Sequence, residues 1–144
     1  IINNASIAAH LAGYSSSMVY GAAKAAVKHL TTCVGMELGE SNVRVNSISP
    51  GAIATGILAK ALGMDAGKAD QIAEGMKAGF AKAQPIPRAG LPDDIAQCAL
   101  FLASDRGSFI NATDIVVDGG VIGGRQYSPH QEMLKQTKAA LGIG

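Results

Sequence analysis

The pattern of hydrophobic and polar positions divides the chain into short apolar runs and longer amphipathic segments. The stretches "IINNAS", "NVRVNSISP" and "TDIVVDGG" predict short buried strands, each followed by a polar, proline or glycine turn. Helical spacing covers about 19–38, 57–82 (as one or two helices), "DDIAQCALFLAS" to about Ser104, and the tail "YSPHQEMLKQTKAALGIG". Strands that alternate with helices in this way predict an α/β fold with a parallel sheet.

Residues at the helix ends support these boundaries. Ser17 is a candidate N-cap, Gly39 a natural C-terminal stop, and Pro92 a candidate first residue of a helix. Two glycine-rich stretches resemble phosphate loops but fail on detail. "GAIATG" is not followed by the Lys and Ser or Thr of a P-loop, and "GGVIGG" lacks G-x-G-x-x-G spacing. The segment behind "GGVIGG", "RQYSPHQ", also does not look like a helix start.

Composition excludes several classes of function. The 144 residues carry a formal net charge of +1 without a run of like charge, so neither nucleic acid nor an anionic membrane is expected as a partner. No apolar run approaches the ~18 residues of a membrane span, and the opening lacks a secretory signal. Cys33 and Cys98 are expected to be buried reduced thiols, which makes the cytoplasm the expected compartment. Because "IINNAS" opens within a strand and without Met, we expect the chain to begin inside a domain.

Candidate chemistry lies where "SSSMVYGAAKAAVKHL" begins its helix. Tyr20 and Lys24 are four residues apart and therefore share one helix face. A free phenol keeps its proton at neutral pH, and a nearby ammonium stabilises the phenolate. The alternative is a solvated surface pair. A carbonyl under reduction also needs a second hydrogen-bond donor. Ser6 at a strand end is favoured over Ser15, Ser16 and Ser17, and Ser17 is better explained as a cap.

The three histidines do not form a metal site. His10, His29 and His130 are too scattered for metal-ligand spacing, so no metal is predicted. His29 and His130 are expected to be structural or solvated, whereas His10 is near enough to the proposed site to line a substrate pocket.

Five stretches in order give the chain a family resemblance: Ser6, "YGAAK", "RVNSISPGAIAT", "IPRAGLPDDIAQCALFLASD" and "DIVVDGG". Together, over residues 1 to about 124, they resemble the C-terminal half of a compact short-chain dehydrogenase/reductase. The resemblance implies a Rossmann-like, doubly wound parallel sheet, with 1–144 forming the C-terminal part of one three-layer domain. The family's glycine-rich phosphate loop, the residue that selects NAD or NADP, and the asparagine of its proton relay belong to the preceding half.

The resemblance also implies roles for individual residues. Tyr20 would exchange a proton with the substrate oxygen, Ser6 would steady that oxygen, and Lys24 would hold the nicotinamide ribose. The cofactor would be NAD or NADP, with NAD preferred, bound by Tyr20, Lys24, Pro50, Gly51, Ile53 and Thr55. Gly51 would let a flat ring approach closely. Ser6 precedes Tyr20 by fourteen residues rather than the usual thirteen, and position 7 is Ile; this spacing is similar to that of secoisolariciresinol dehydrogenase-like members.

The remaining expectations concern substrate and assembly. Ala8, Tyr14, Met18 and Leu58 are candidates for lining a pocket for a small apolar alcohol or ketone. Residues 56–84 form either a flap that closes over the substrate or an ordinary surface helix pair. The long helix is apolar nearly all round, which predicts burial on several faces, either in a homodimer or homotetramer or within one subunit.

Three functions follow from this sequence. The first is an NAD(P)-dependent oxidoreductase that moves a hydride between nicotinamide and an alcohol or ketone carbon. The second is a non-catalytic fragment or oligomerisation scaffold. The third is a lyase or epimerase with tightly bound NAD, against which the "PRAGLPDDIA" and "DGG" stretches favour the compact dehydrogenases.

Overall fold

Strands and helices alternate along the chain in a computed structural model, which describes residues 1–15, 17–61, 63–124 and 126–143. The elements are β1 (Ile2–Asn4), α1 (Met18–Gly39), β2 (Asn46–Pro50), α2 (Ile57–Ala61), α3 (Ala66–Ala83), α4 (Pro92–Ala103), β3 (Asp114–Val117) and α5 (Tyr127–Ala140). Short 3₁₀ turns lie at Ile7–Ala9, Asp105–Gly107 and Val121–Gly123. No helix within the described ranges is both long and apolar enough to cross a bilayer.

The three strands form one parallel sheet in the order β1-β2-β3. Asn3 pairs with Ser47 across the first ladder, and Ile48 pairs with Ile115 across the second. The predicted α/β architecture with a parallel sheet is therefore confirmed. All three strands point the same way, so the loops that follow them meet at one edge of the sheet, where parallel folds place their ligands.

Helices α1 and α4 cover opposite faces of this sheet. Successive side chains of a strand alternate between faces. Ser47 and Ser49 point to the face that α1 covers, and their hydroxyls donate to Asp114 there. Arg44 is an odd number of residues away from Ser47 and Ser49, so its side chain points to the opposite face. There its guanidinium donates to the Leu102 carbonyl of α4 at 2.7 Å. The sheet is thus doubly wound within this chain.

The core is small and lies around the central strand. Ile7, Val45, Ile48 and Leu102 are at most 2% exposed. Each such burial contributes about 1.5–3 kcal/mol. Asn46, 1% exposed, donates its side-chain amide to the Ile110 carbonyl and accepts from the Thr113 backbone, so it ties the approach to β3 onto β2. By contrast, most of α1 faces solvent in this chain, and only Thr31 and Gly35 are buried.

The helix ends agree with the sequence signals. The Ser17 hydroxyl accepts from the Tyr20 backbone N–H at 3.2 Å, as an N-cap should. Helix α1 ends at Gly39 as expected. Pro92 is the first residue of α4, where its missing N–H costs nothing.

Three expectations are wrong in detail. The second strand begins at Asn46 rather than near Asn42: Asn42 lies in a turn with a positive φ of 58°, and residues 43–45 precede the first residue that pairs with β1. A helix does start within "RQYSPHQ", at Tyr127; Pro129 is tolerated because first-turn N–H groups have no partner in the helix. Cys33 is exposed, since it lies on the side of α1 away from the sheet, and Cys98 is only half-buried.

Gly51 marks a close approach between two loops at the ligand edge of the sheet. A Cβ on Gly51 would lie 2.6 Å from both Cα and Cβ of Asp118, which is closer than any side chain tolerates. The Asp118 carboxylate cannot move aside freely, because it accepts from the Gly120 N–H at 2.7 Å and the Ile122 N–H at 2.8 Å. Packing within the chain therefore requires glycine at position 51.

We expect Gly51→Ala to lower the free energy of unfolding by about 1–3 kcal/mol or more, because the added methyl group overpacks a braced turn. Urea unfolding followed by circular dichroism measures this. Gly75→Ala is the matched control: nothing lies within 4 Å of its Cβ position in α3, and it should stabilise by about 0.5–1 kcal/mol. Equal effects of the two variants would contradict the packing argument.

Asp94 makes the stability of the chain depend on pH. Its carboxylate accepts two bonds from the Arg88 guanidinium, at 2.7 and 2.6 Å, and one from the Leu91 backbone N–H at 2.8 Å. Hydrogen bonding from Arg88, and then from Leu91, lowers the pKa of Asp94 from its ordinary 3.8 to about 2.

A carboxylate with a depressed folded-state pKa stabilises the fold above its unfolded pKa. We expect this contribution to be complete above pH 3.8 and to be lost as the pH falls towards about 2. Urea unfolding in steps between pH 5 and pH 2 should show the decline, and Asp94→Asn should remove this part of it. Asp93→Asn, on the exposed neighbour, should leave the decline unchanged. A decline that persists in Asp94→Asn would refute the assignment.

Candidate active site

Tyr20 and Lys24 lie one turn apart at the start of α1, where the capped helix end faces the ligand edge of the sheet. The Lys24 Nζ is 5.7 Å from the centroid of the Tyr20 ring, within the range of a cation–π contact. The same Nζ donates to the Asn4 carbonyl at 2.8 Å. Lys24 is therefore held between the phenol ring and the end of β1, and its bond to Asn4 uses one of its three N–H donors.

Ser6 follows β1 directly and begins a tight turn. Its hydroxyl oxygen accepts from the Ala8 backbone N–H at 3.2 Å, and the residue is 7% exposed. An oxygen that accepts in this way keeps its own proton for donation. We call residues 6–10 the Ser6 turn.

Two contacts hold the residues on either side of Ser6 against α1. On one side of Ser6, the Asn4 carbonyl accepts from Lys24. On the other side, the Ala8 carbonyl packs against Gly21, beside Tyr20, so closely that a Cβ there would lie 3.2 Å from it. Ser6 is therefore bracketed by attachments to the two turns of helix that carry Tyr20 and Lys24.

The other candidate hydroxyl donors are engaged elsewhere. The Ser17 hydroxyl caps α1 through the Tyr20 N–H, and the Ser15 hydroxyl accepts from the Ser17 N–H at 3.2 Å. Ser16 lies outside the described residues. Ser15 and Ser17 therefore shape the loop, but each of their hydroxyl oxygens accepts one backbone N–H just as that of Ser6 does, so the choice of Ser6 as the donor stays a prediction.

The candidate pocket residues do not all come together. Ala8 and Met18 line a cavity of about 360 Å³ between the Ser6 turn and the side of α1, together with His10, Gly21 and Ala25. Tyr14, Ser6, Tyr20 and Lys24 are not among its described lining residues. This cavity therefore lies beside the candidate chemistry rather than over it. The side chain of Leu58 lies outside the description.

Tyr14 lies close enough to Tyr20 and Asp118 for their charges to affect its phenol. Burial, followed by the negative charges of Asp118 and of an ionised Tyr20, raises the pKa of Tyr14 above 10.0. Its phenol therefore remains protonated, and a hydrogen-bond donor, throughout the neutral range.

The loop predicted to hold the cofactor is fixed on one side by the turn before α4. Ile53 pairs with Gly90; the Ala54 N–H donates to the Gly90 carbonyl at 2.8 Å, and the Gly90 N–H donates to the Ala52 carbonyl at 3.1 Å. Pro50 ends β2, and the Gly51 N–H donates to the Val117 carbonyl. Thr55 lines an open cavity of about 640 Å³ shared with α2, α3 and Leu91.

This geometry gives Gly51 a role that the sequence did not suggest. The space on the Cβ side of Gly51 is filled by Asp118. Its place at a cofactor site stays a prediction, but the requirement for glycine has an explanation within the chain. Sequence reasoning did not identify Asp118, whose carboxylate accepts from the N–H groups of this loop. The available signal was the pair of glycines that follows Asp118, because the N–H groups of such a turn need a side-chain acceptor.

Residues 56–84 form two helices, α2 and α3, as one of the sequence alternatives expected. Ala59 and Ala69 are buried between them, and a Cβ on Gly56 would lie 2.9 Å from Ala69. The Asp65 carboxylate caps α3 through the Lys68 N–H. Residues of both helices line the 640 Å³ cavity together with Thr55.

Comparison with known proteins places the chain in a family. A family model described as "Enoyl-(Acyl carrier protein) reductase" matches residues 1–122. A 3-oxoacyl-[acyl-carrier-protein] reductase of Chlamydia pneumoniae is 38% identical over 84% of this chain and 44% of its own length. A 2,3-dihydro-2,3-dihydroxybenzoate dehydrogenase of Escherichia coli is 42% identical over 83% of this chain and 48% of its own length.

Solved structures agree with the sequence relatives. A 4-hydroxyisoleucine dehydrogenase complexed with NADH superposes with a TM-score of 0.68 at 34% identity, over 87% of this chain and 47% of that one. A 3-oxoacyl-[acyl-carrier protein] reductase from Brucella melitensis gives 0.69 at 31% identity, over 85% and 41%. The chain thus spans a little under half the length of these relatives. The Rossmann-like α/β fold is confirmed, and the chain belongs to the short-chain dehydrogenase/reductase family.

Proposed function

We propose that this chain carries the catalytic residues of an NAD(P)-dependent oxidoreductase that interconverts a secondary alcohol and a ketone. The observation that supports it best is the bracket around Ser6: Lys24 holds the Asn4 carbonyl, and Gly21, beside Tyr20, packs on the Ala8 carbonyl. This arrangement gives one substrate oxygen two candidate partners on rigid elements, a phenol and a hydroxyl.

Tyr20 acts as the general acid and base. In the direction of oxidation its phenolate takes the hydroxyl proton of the alcohol, and in reduction the phenol returns a proton to the oxygen. The Lys24 ammonium stabilises the phenolate by its charge, at 5.7 Å from the ring centroid. Ser6 donates its free proton to the same substrate oxygen, where negative charge develops during hydride transfer.

The donors present fit a nicotinamide cofactor. An ammonium has three N–H donors, and Lys24 uses one of them on Asn4, so it can hold the hydroxyls of a ribose. Pro50, Gly51, Ile53 and Thr55 would form the wall beside the ring, with the Thr55 hydroxyl reachable from the open cavity. When bound, the cofactor accepts or donates the hydride. NAD is preferred because similar proteins include an NAD-dependent glycerol dehydrogenase of Listeria innocua and an NADH complex.

The cytoplasm is the expected compartment.

The substrate class is a small alcohol or ketone with apolar groups around the reacting carbon. Ala8 within the Ser6 turn and Met18 at the start of α1 present apolar surface, and Tyr14 adds a protonated phenol that could donate to a polar substituent. Leu58 and the rest of α2 and α3 would close over the substrate as a flap and exclude water. The lyase or epimerase alternative lacks a specific supporting observation.

We expect Tyr20→Phe in the full-length protein to lower kcat for NAD(P)-linked alcohol oxidation by about 10²–10⁴-fold, because it removes the acid and base. Cofactor affinity, followed by calorimetry, should change much less. Tyr127→Phe is the matched control, on an α5 side chain that is 76% exposed, and should leave kcat unchanged. Full activity in Tyr20→Phe would refute the catalytic assignment; a protein inactive in every form would favour the scaffold reading.

We further propose that α1 forms a contact between subunits, as its apolar outer side suggests. Met18, Leu30 and Met36 are 88%, 58% and 70% exposed on this helix, with alanines between them. A helix with so much apolar surface outside its own core is typical of an interface. A homodimer or homotetramer would bury that surface.

We expect Leu30→Glu to reduce the assembly to a smaller species in light scattering after size exclusion, because a buried carboxylate without a partner is costly. The protein should retain its circular dichroism spectrum. Loss of the folded spectrum with no smaller folded species would instead indicate that this side of α1 is covered within one subunit. A charge change on a different helix, Lys138→Glu on the exposed surface of α5, serves as the control.

A further inference from the structure

A buried carboxylate lies outside the proposed catalytic residues. The side chain of Asp114, the first residue of β3, is only 8% exposed. It accepts from the Ser47 hydroxyl at 2.5 Å and from the Ser49 hydroxyl at 3.0 and 2.9 Å. Neither serine is exposed at all. A third partner, His10, contacts the same carboxylate from the loop that follows β1, at 2.7 Å.

Both nitrogens of the His10 ring are engaged. Nε2 contacts Asp114 Oδ2, and Nδ1 lies 3.4 Å from the Lys28 ammonium. An ammonium can only donate, so a hydrogen bond at Nδ1 requires that nitrogen to accept and assigns the ring proton to Nε2, which then donates to Asp114. The imidazole is 19% exposed and lies between Asp114 and Lys28.

This cluster contains serine, histidine and aspartate but cannot act as a hydrolytic triad. In a triad the histidine stands between the nucleophile and the carboxylate. Here both serine hydroxyls donate to the carboxylate itself and are fully buried, so no nucleophile is presented to a substrate. The cluster instead connects β2, β3, the Ser6 turn and α1.

The elements that it connects include the candidate active site. His10 is the last residue of the Ser6 turn, and its backbone N–H donates to the Ile7 carbonyl. Lys28 lies one helical turn beyond Lys24 on the same side of α1. The imidazole therefore ties the far end of the Ser6 turn to β3 and to the helix that carries Tyr20 and Lys24.

We propose that His10 is a positioning residue for Ser6. Lys24 holds the chain at Asn4, just before the turn, Gly21 packs on Ala8 in its middle, and His10 supplies a contact at its end. With both ends held, the Ser6 hydroxyl stays directed towards the substrate oxygen. This inference rests on the proposed function for its effect on activity, but not for its effect on the turn.

The side chain of His10 allows a matched pair of substitutions. Glutamine places an amide nitrogen near the position of Nε2 and can still donate to Asp114. Leucine fills a similar volume and donates nothing. We expect His10→Leu in the full-length protein to lower kcat by about tenfold to a hundredfold, since a misplacement of about 1 Å has costs of this size. His10→Gln should recover most of the loss, and the KM for the cofactor should be unchanged in both.

A double-mutant cycle with Ser6→Ala separates positioning from general destabilisation. If His10 acts through Ser6, His10→Leu should cost little further kcat once the Ser6 hydroxyl is gone. A loss of the same size in both backgrounds would overturn the proposal. So would a His10→Gln variant no more active than His10→Leu.

Hydrogen exchange of the turn keeps the test independent of the reaction. The Ala9 and His10 amides, which donate to the Ser6 and Ile7 carbonyls, should exchange faster in His10→Leu and at the native rate in His10→Gln. The Ala5 amide, which donates to Ile48 at the end of the sheet, is the internal control. If Ser6→Ala and Tyr20→Phe both keep native activity, the proposed function fails, and unchanged exchange in His10→Leu is then the result that overturns this inference.

Discussion

The hydrogen bond from the Lys24 ammonium to the Asn4 carbonyl is the contact on which the candidate site depends. It joins the first turns of α1 to the end of β1, 20 residues apart in sequence, at the edge of the sheet where ligands bind. A neutral side chain at position 24 would leave that carbonyl without this partner and Tyr20 without a nearby positive charge. One ammonium therefore serves the fold and, in the proposed function, the chemistry as well, and the segment that it holds at Asn4 continues into Ser6.

Most residues of the family motifs make contacts that hold this chain's own fold together. Asn46 joins β2 to the approach of β3, Gly51 makes room for Asp118, and Asp94 accepts from both Arg88 and Leu91. These contacts fix the loops at the ligand edge relative to one another. In the proposed function these contacts form a scaffold, and Tyr20, Lys24 and Ser6 carry the reactive groups. A shared scaffold is compatible with relatives named as a 3-oxoacyl-[acyl-carrier-protein] reductase, a 2,3-dihydro-2,3-dihydroxybenzoate dehydrogenase and a glycerol dehydrogenase.

The sequence predicted best the features that depend on interactions between residues close together in the chain. Helix α1, its Ser17 cap and the Pro92 start were predictable because capping and helical periodicity involve neighbouring residues. The pairing of Tyr20 with Lys24 followed from helix geometry alone. The start of β2 was misplaced because β-branched alternation extends into residues 43–45, where the chain has not yet joined the ladder. Cys33 was misassigned because helical periodicity cannot show which side of an almost wholly apolar helix meets the sheet.

What the sequence could not supply is contact across long separations, and His10 shows why this matters. Its partner Asp114 is 104 residues away, and no spacing rule connects them. In the sequence His10 is one polar residue in a loop of small side chains, and Asp114 resembles an ordinary polar start of a strand. Only the parallel register, which sets Ser47 opposite Asp114, brings the hydroxyls, the carboxylate and the imidazole together. A buried carboxylate is costly unless it is well hydrogen-bonded, and His10 of the Ser6 turn adds a partner for Asp114 Oδ2 to the two serines that the register supplies. That contact links the packing of β3 to the turn that carries a proposed catalytic hydroxyl.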